Sequence, residues 1–298
     1  MNYWSAFSSF NKEIISEFNR LSDSKVVLVD GGAAGSLSPP FDRARSAILA
    51  VRFEPRGSSE VRKGEDEIFI DGGLWSTDGT GTLHVASSPG SSSVLKPNIE
   101  WLTRFQPNQG PLPRETVRRV DVPMRSIDSC VQAGQMPLPN FIKLDVHSSE
   151  MPALLGANQS LGECIGLLVE TWNTEVHVGQ SLHHEVEKYA VENGFAVFDV
   201  ICAARWHEVF EGATASGERG RYIGSEILLL REDVPNHLVL KQALIMSLFG
   251  FFSSAQATLR NSSPAGAESL VVLLEKAKRR ASSFSVARRV TRKLRGLS

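Results

Sequence analysis

The chain has 298 residues, of which 42% are hydrophobic, 22% charged and 8% aromatic, enough apolar material to bury a sizeable core and too much for a largely disordered chain. Its 24 Gly and 14 Pro follow no Gly-X-Y period, which excludes a collagen-like or linker protein. The net charge of −1 conceals an asymmetry: residues 276–298 carry nine Lys/Arg and no acid, leaving 23 basic against 33 acidic residues elsewhere, a balance of −10.

Trp4, Phe7, Phe10, Ile14 and Phe18 recur at three- and four-residue spacing, which predicts a helix over residues 2–21. No charged stretch leading into an apolar run precedes it, so no secretory leader is expected. KVVLVD (25–30) reads as a buried parallel strand, and GGAAGS follows it. SAILAVRFEP (46–55), EIFIDGGLW (67–75), NFIKLDV (140–146), CIGLLVET (164–171), FAVFDV (195–200) and SEILLLR (225–231) complete a set of seven strands. Helical patterns at 147–161 and 181–195 lie among them, with Gly156, Gly162 and Gly194 as stop signals. Strands alternating with helices predict an α/β fold with a doubly wound, mostly parallel sheet. Residues 76–120, rich in Gly, Ser, Thr and Pro, read as a loop-and-hairpin insertion with TGTLHVA as a strand.

Residues 233–298 break the rhythm and read as two helices, about 236–260 and 266–295. The expected organisation is an N-terminal helix (1–24), an α/β domain (25–232) and a helical extension (233–298). The most apolar run, 238–252, is interrupted by Lys241 and Gln242 and is too short to span a bilayer. In the last helix Leu270, Leu273, Leu274, Ala277, Ala281, Phe284, Ala287, Val290, Leu294 and Leu297 share one face and Lys/Arg the other. Such a basic amphipathic helix docks on the rest of the chain with a solvated charged face, or makes a peripheral contact with an anionic membrane; nucleic acid is the weaker expectation. Cys130, Cys164 and Cys202 are far apart and form no CxxC pair, which argues against a disulfide framework or zinc ribbon and for a reducing, cytoplasmic compartment.

Ligands of open α/β sheets bind beyond the carboxyl ends of the strands, so the residues just after each strand are the candidates. After the first come Asp30, Gly31, Gly32, Ala33, Ala34 and Gly35, small enough for a backbone to approach a ligand, or simply a tight strand-to-helix turn. After the second comes Glu54, an acid that can accept from both hydroxyls of a ribose, or cap a helix. Together they favour a nucleoside-containing cofactor. The G-x-G-x-x-G fingerprint fails from Gly31 and from Gly32, and no GK[ST] follows the glycines, which leaves S-adenosylmethionine, a donor without a pyrophosphate to cradle. Asp145 and Glu170 end two further strands and face the expected crevice. His147 can act as a base near neutral pH, and Glu150, a first-turn helix acid, completes a polar wall. His177, His183 and His184 match no metal-ligand spacing, so no metal is expected.

Six segments in order resemble the FkbM-type S-adenosylmethionine-dependent methyltransferases: VLVDGGAAG, FEP (53–55), SSSVLKPN (91–98), VPMRSID (122–128), FIKLDVHSSEMPALLGA (141–157) and the closing run from LLVET to GFAVFDV. The resemblance covers residues 26–231 and implies a seven-stranded methyltransferase sheet and O-methylation of a hydroxyl on a glycan, a lipid-linked sugar or a small metabolite. It assigns the cofactor to the Asp30–Gly35 turn and Glu54. Asp145 and His147 are expected to remove the hydroxyl proton, with Glu150 and Glu170 as neighbours. His147-Ser148 stands where the family has Glu-Gly, which implies a changed substrate, a substituted base or an inactive, methyltransferase-like binding module in a glycan-assembly complex.

Overall fold

The computed structural model describes residues 11–57, 66–209 and 219–295, with the side chains of 202, 203 and 283 onward outside the description. In chain order the elements begin with α1 (Asn11–Leu21), β1 (Val26–Gly31), β2 (Ile48–Glu54), β3 (Glu67–Asp71), β4 (Gly73–Leu74), β5 (Gly79–Ala86), α2 (Ile99–Leu102), α3 (Pro111–Arg114) and β6 (Thr116–Arg125). They continue with α4 (Ile127–Gln132), β7 (Phe141–Leu144), α5 (Glu150–Leu155), β8 (Gly166–Trp172), α6 (His183–Glu192), β9 (Phe195–Trp206) and β10 (Arg221–Arg231). Three helices, α7 (Val239–Leu248), α8 (Phe252–Ser262) and α9 (Glu268–Arg295), follow. The chain divides into two compact units, one of residues 27–36 and 50–232, the other of residues 1–26, 37–49 and 233–298.

The first unit holds a seven-stranded sheet in the order β3-β2-β1-β7-β8-β10-β9. β2 and β3, β1 and β7, and β7 and β8 pair in parallel, while β10 runs antiparallel to both its neighbours. The fold class is therefore the expected mostly parallel, doubly wound α/β sheet, and all seven strands form where apolar runs mark them. β1 is buried along its whole length, as a strand covered on both faces requires. The strand order reverses between β1 and β7, which makes their carboxyl ends the switch point of the sheet.

The 67–75 run divides into two elements. Gly72, at φ +135, turns the chain so that β3 joins the large sheet while β4 joins a second one, ordered β4-β6-β5. Only glycine fits there, because a Cβ would lie 2.8 Å from the Pro123 carbonyl. The 76–120 insertion is a hairpin of β5 and β6 whose long connection carries α2 and α3. Leu83, Val122 and Met124 form its small core.

The second unit is helical. Ile14, Ile15 and Phe18 bury one face of α1, which packs on α7 and α9. α7 is buried on nearly every side, the environment its apolar run demands. The expected single helix over 236–260 is two, because Gly250 adopts φ +87 and ends α7 before α8 begins. The N-terminal helix is described from Asn11, so Trp4, Phe7 and Phe10 lie outside the described residues. α9 runs to Arg295, but most of its basic side chains lie outside the description too. Among the described residues no helix is long and apolar enough to cross a membrane.

Candidate active site

At the end of β1, Asp30 is buried and spends its charge inside the sheet. Its Oδ1 accepts from Lys143 Nζ at 3.1 Å and its Oδ2 from Arg52 Nε at 3.4 Å. Arg52, in the middle of β2, is wholly buried, and it also pairs with Glu67 Oε2 at 3.2 Å. Its Nη2 donates to the carbonyls of Ala33 (2.6 Å) and Gly35 (3.1 Å). A cation inside an apolar strand was not singled out from the sequence, and it is what shapes the Gly-rich turn. The planar guanidinium presents five donors, and here they knit two strands to two carbonyls of the turn.

Gly32 adopts φ +77, and a Cβ on it would lie 1.9 Å from the Asp145 carbonyl oxygen. The glycine is thus required by the close approach of the turn to the chain beyond β7. Its immediate neighbour is protein backbone, so a larger side chain there distorts the turn before it reaches any ligand. Gly35, at φ +76, has open space where its Cβ would be.

Glu54 ends β2 with a buried carboxylate held by Arg56. Oε1 accepts from the Arg56 backbone N at 3.0 Å and from Nε at 2.9 Å, and Oε2 accepts from Nη2 at 3.2 Å. Leu144 of β7 is in register with Val169 of β8, which sets Asp145 and Glu170 side by side at the ends of adjacent strands. The chain then turns back through His147 (φ +49) and Ser148 (φ +80), two successive left-handed residues other than glycine. Three hydrogen bonds hold that strained turn. Ser93 Oγ donates to the His147 carbonyl at 2.6 Å. Ser148 Oγ donates to Gln180 Oε1 at 2.8 Å and meets His177 Nδ1 at 2.7 Å. With its one proton given to Gln180, the hydroxyl accepts from His177, which fixes that ring as the neutral Nδ1–H tautomer. Burial, with the charges of His147, Arg114 and His84 adding to it, lowers the His177 pKa to about 3.

His147 Nδ1 lies 3.3 Å from Glu170 Oε2. This is an ion-pair approach; neither buried atom makes a well-aligned hydrogen bond. Burial alone would lower the His147 pKa, but the charges of Glu170, Asp145 and Glu150 outweigh it and raise the value to about 9. His147 is therefore held protonated near neutral pH, where the sequence reading expects a base. Asp145, its side chain 41% exposed, stands 3.9 Å from Lys143 Nζ. Glu150 is buried behind the loop and accepts from the Val146 N–H at 3.1 Å. Burial and then the charge of Glu170 push its carboxyl up to about 8. Burial and the charge of Asp145 likewise raise Glu226, which lies opposite Glu170 in the β8–β10 register.

A cavity of about 410 Å³ opens at this switch point. Gly32, Ala34, Glu54, Asp145, His147 and Glu170 line it, together with Arg56, which the sequence reading passed over. Asp30, Gly31, Ala33, Gly35 and Glu150 are not among the lining residues. The histidines first weighed as metal ligands lie apart from it: His177 is bound to Ser148, and His183 pairs with Thr171 and Glu187.

Two solved structures are similar over part of their length. One is a methyltransferase FkbM from Methylobacillus flagellatus KT, with a TM-score of 0.35 and 14% identity over 69% of this chain. The match spans 44% of that protein, so this chain accounts for less than half its length. The other is a magnesium protoporphyrin IX methyltransferase from Synechocystis PCC 6803 with bound SAM, with a TM-score of 0.31 and 10% identity over 76% of this chain and 80% of that one. No protein-family model and no curated protein matches the chain.

Proposed function

We propose that the chain is an S-adenosylmethionine-dependent O-methyltransferase whose acceptor is a hydroxyl of a glycan, a lipid-linked sugar or a small metabolite. One observation carries this reading: a single cavity at the switch point joins the Gly-rich turn, the acid at the end of β2 and the acid–histidine cluster beyond β7 and β8. The lining suits such a donor. Phe53, Leu74, Leu83 and Val94 offer apolar surface for a base, while Asp145 and Glu170 make a negative wall that favours a cation. When bound, the donor supplies an electrophilic methyl group on a positively charged sulfur.

Glu54 would accept from a ribose hydroxyl. A carboxylate has about four acceptor sites, and Arg56 takes three of them, so one remains until Arg56 swings away. Asp145 is the most exposed acid of the cluster and would receive the acceptor's hydroxyl proton. His147 and Glu170 would orient the hydroxyl toward the donor, and alignment is the larger part of catalysis for an in-line displacement.

The alternative, a methyltransferase-like binding module without activity, draws on the hold of Arg56 on Glu54 and on His147-Ser148. Calorimetric titration with S-adenosylmethionine separates the two. Micromolar binding supports the enzyme reading, and no binding at millimolar concentration overturns it.

A further inference from the structure

We infer that Asp145, His147 and Glu170 form a binding site for one first-row divalent cation, open on its cavity side. Among the described residues these three are the one group of acids, histidines and cysteines whose ligand atoms gather, all within 4.8 Å of one another. A cation bonded at about 2.1 Å holds neighbouring donors roughly 3 Å apart and opposite ones roughly 4.2 Å apart. The 3.3 Å between His147 Nδ1 and Glu170 Oε2 is close to the first figure. The widest pair, at most 4.8 Å apart, needs to close by about 0.6 Å to span opposite positions and by up to about 1.8 Å to take neighbouring ones, which side-chain rotation supplies.

The placement is rigid for two of the ligands. Asp145 directly follows β7 and Glu170 lies in β8 one residue past the Leu144–Val169 pair, and His147 is brought over Glu170 by the left-handed turn that Ser93 and Ser148 hold. A second observation points the same way. His147 Nδ1 and Glu170 Oε2 are both shielded from solvent, yet neither makes a well-aligned hydrogen bond with the protein. Buried polar atoms whose one contact is a poorly aligned ion pair at 3.3 Å are uncommon, and a cation between them would satisfy both. Lys143 offers only partial compensation, since its ammonium is 3.9 Å from Asp145 and is held by Asp30 at 3.1 Å.

The donor set decides the class of metal. Two carboxylates and one imidazole suit Mn²⁺, Fe²⁺, Co²⁺ or Zn²⁺ better than Mg²⁺ or Ca²⁺, which prefer oxygen throughout. Three protein ligands beside a cavity leave coordination positions for water or a substrate oxygen, the pattern of a catalytic rather than a structural site. On the methyltransferase reading, that oxygen is the acceptor hydroxyl, oriented and polarised by the cation; the binding of the cation itself does not depend on that reading.

The test is titration of chelator-treated full-length protein with Mn²⁺, followed by the loss of the free-ion electron paramagnetic resonance signal. One equivalent should bind at micromolar concentration, and Asp145→Asn, His147→Gln and Glu170→Gln should each weaken it at least tenfold, with circular dichroism confirming the fold. His183→Gln, outside the cluster, should bind like the wild type. Binding only at millimolar concentration, or equal binding in all three ligand variants, overturns the site. Calorimetry with S-adenosylmethionine on the metal-free and Mn²⁺-loaded protein keeps the two proposals separable. Mn²⁺ binding without donor binding leaves the cation site standing and removes the methyltransferase reading, and the reverse removes the cation site alone.

Discussion

Two residues of the cavity lining carry opposite burdens. Gly32 is constrained by protein, since an added Cβ would meet the Asp145 carbonyl at 1.9 Å on a backbone already at φ +77. Gly32→Ala should therefore lower stability by about 2–4 kcal/mol, the range of strained-backbone and overpacking substitutions. Thermal melts check this, and an unchanged midpoint would remove the close approach as the reason for the glycine. Glu54 is constrained by Arg56, which the sequence could not indicate, because a partner two residues away reads only as an exposed arginine. Under the methyltransferase reading Glu54→Gln should weaken S-adenosylmethionine about tenfold or more, since a hydrogen bond to a charged group contributes roughly 1.5–3 kcal/mol. Arg56→Ala should not weaken it, because it frees the two acceptor sites held by the guanidinium and leaves only the backbone N–H on the carboxylate. Calorimetry on the pair decides between them: a loss in Arg56→Ala equal to that in Glu54→Gln would assign the donor contact to the guanidinium instead.

At the scale of elements, the strands were legible and their breaks were not. Seven apolar runs mark the seven strands, and those at the centre of the sheet, such as β1, are buried on both faces and leave no room for alternation. The division of 67–75 between two sheets depends on the Pro123 carbonyl beside Gly72, a contact 51 residues away in sequence. The split of the 236–260 helix rests on Gly250 in a left-handed conformation, which an apolar pattern does not reveal. The candidate site was similarly half legible. Its strand-end residues follow from topology, whereas the Arg52 network behind it follows from side-chain reach. Arg52 joins Asp30 on β1, Glu67 on β3 and the carbonyls of Ala33 and Gly35 from its own place on β2. Arg52→Met keeps the volume and removes every one of these donors. Breaking a buried pair from one side costs about 3–5 kcal/mol, so urea unfolding should show a loss of that order. A loss under 1 kcal/mol would mean that the turn holds its shape without the arginine.

For the whole molecule, the response to acid turns on groups whose protons differ between the folded and unfolded states. His177 is depressed to about 3 in the fold. Its contribution is fully present above the unfolded value of about 6.5 and is lost as pH falls toward 3, at about 1.4 kcal/mol per pH unit. Glu150 works in the other direction. Its folded value of about 8 means that it holds a proton the unfolded chain gives up above about 4.5, so its contribution grows as pH falls from 8 to 4.5. Between pH 6.5 and 4.5 the folded chain is one proton short at His177 and one proton ahead at Glu150, and the two slopes oppose each other. These two groups nearly cancel in the metal-free wild-type protein across that window, and the raised Glu226 adds some stability as pH falls. His177→Gln removes one side of the balance. It should be less stable than wild type at pH 7, where the hydrogen bond to Ser148 is lost, and should then recover on the wild type as the pH is lowered. The gap should narrow by about 2–3 kcal/mol between pH 6.5 and 4.5. Urea titrations of both proteins at half-unit pH intervals measure it. Parallel curves would mean that His177 keeps an ordinary pKa in the folded chain and that its ring is not locked as the neutral donor to Ser148.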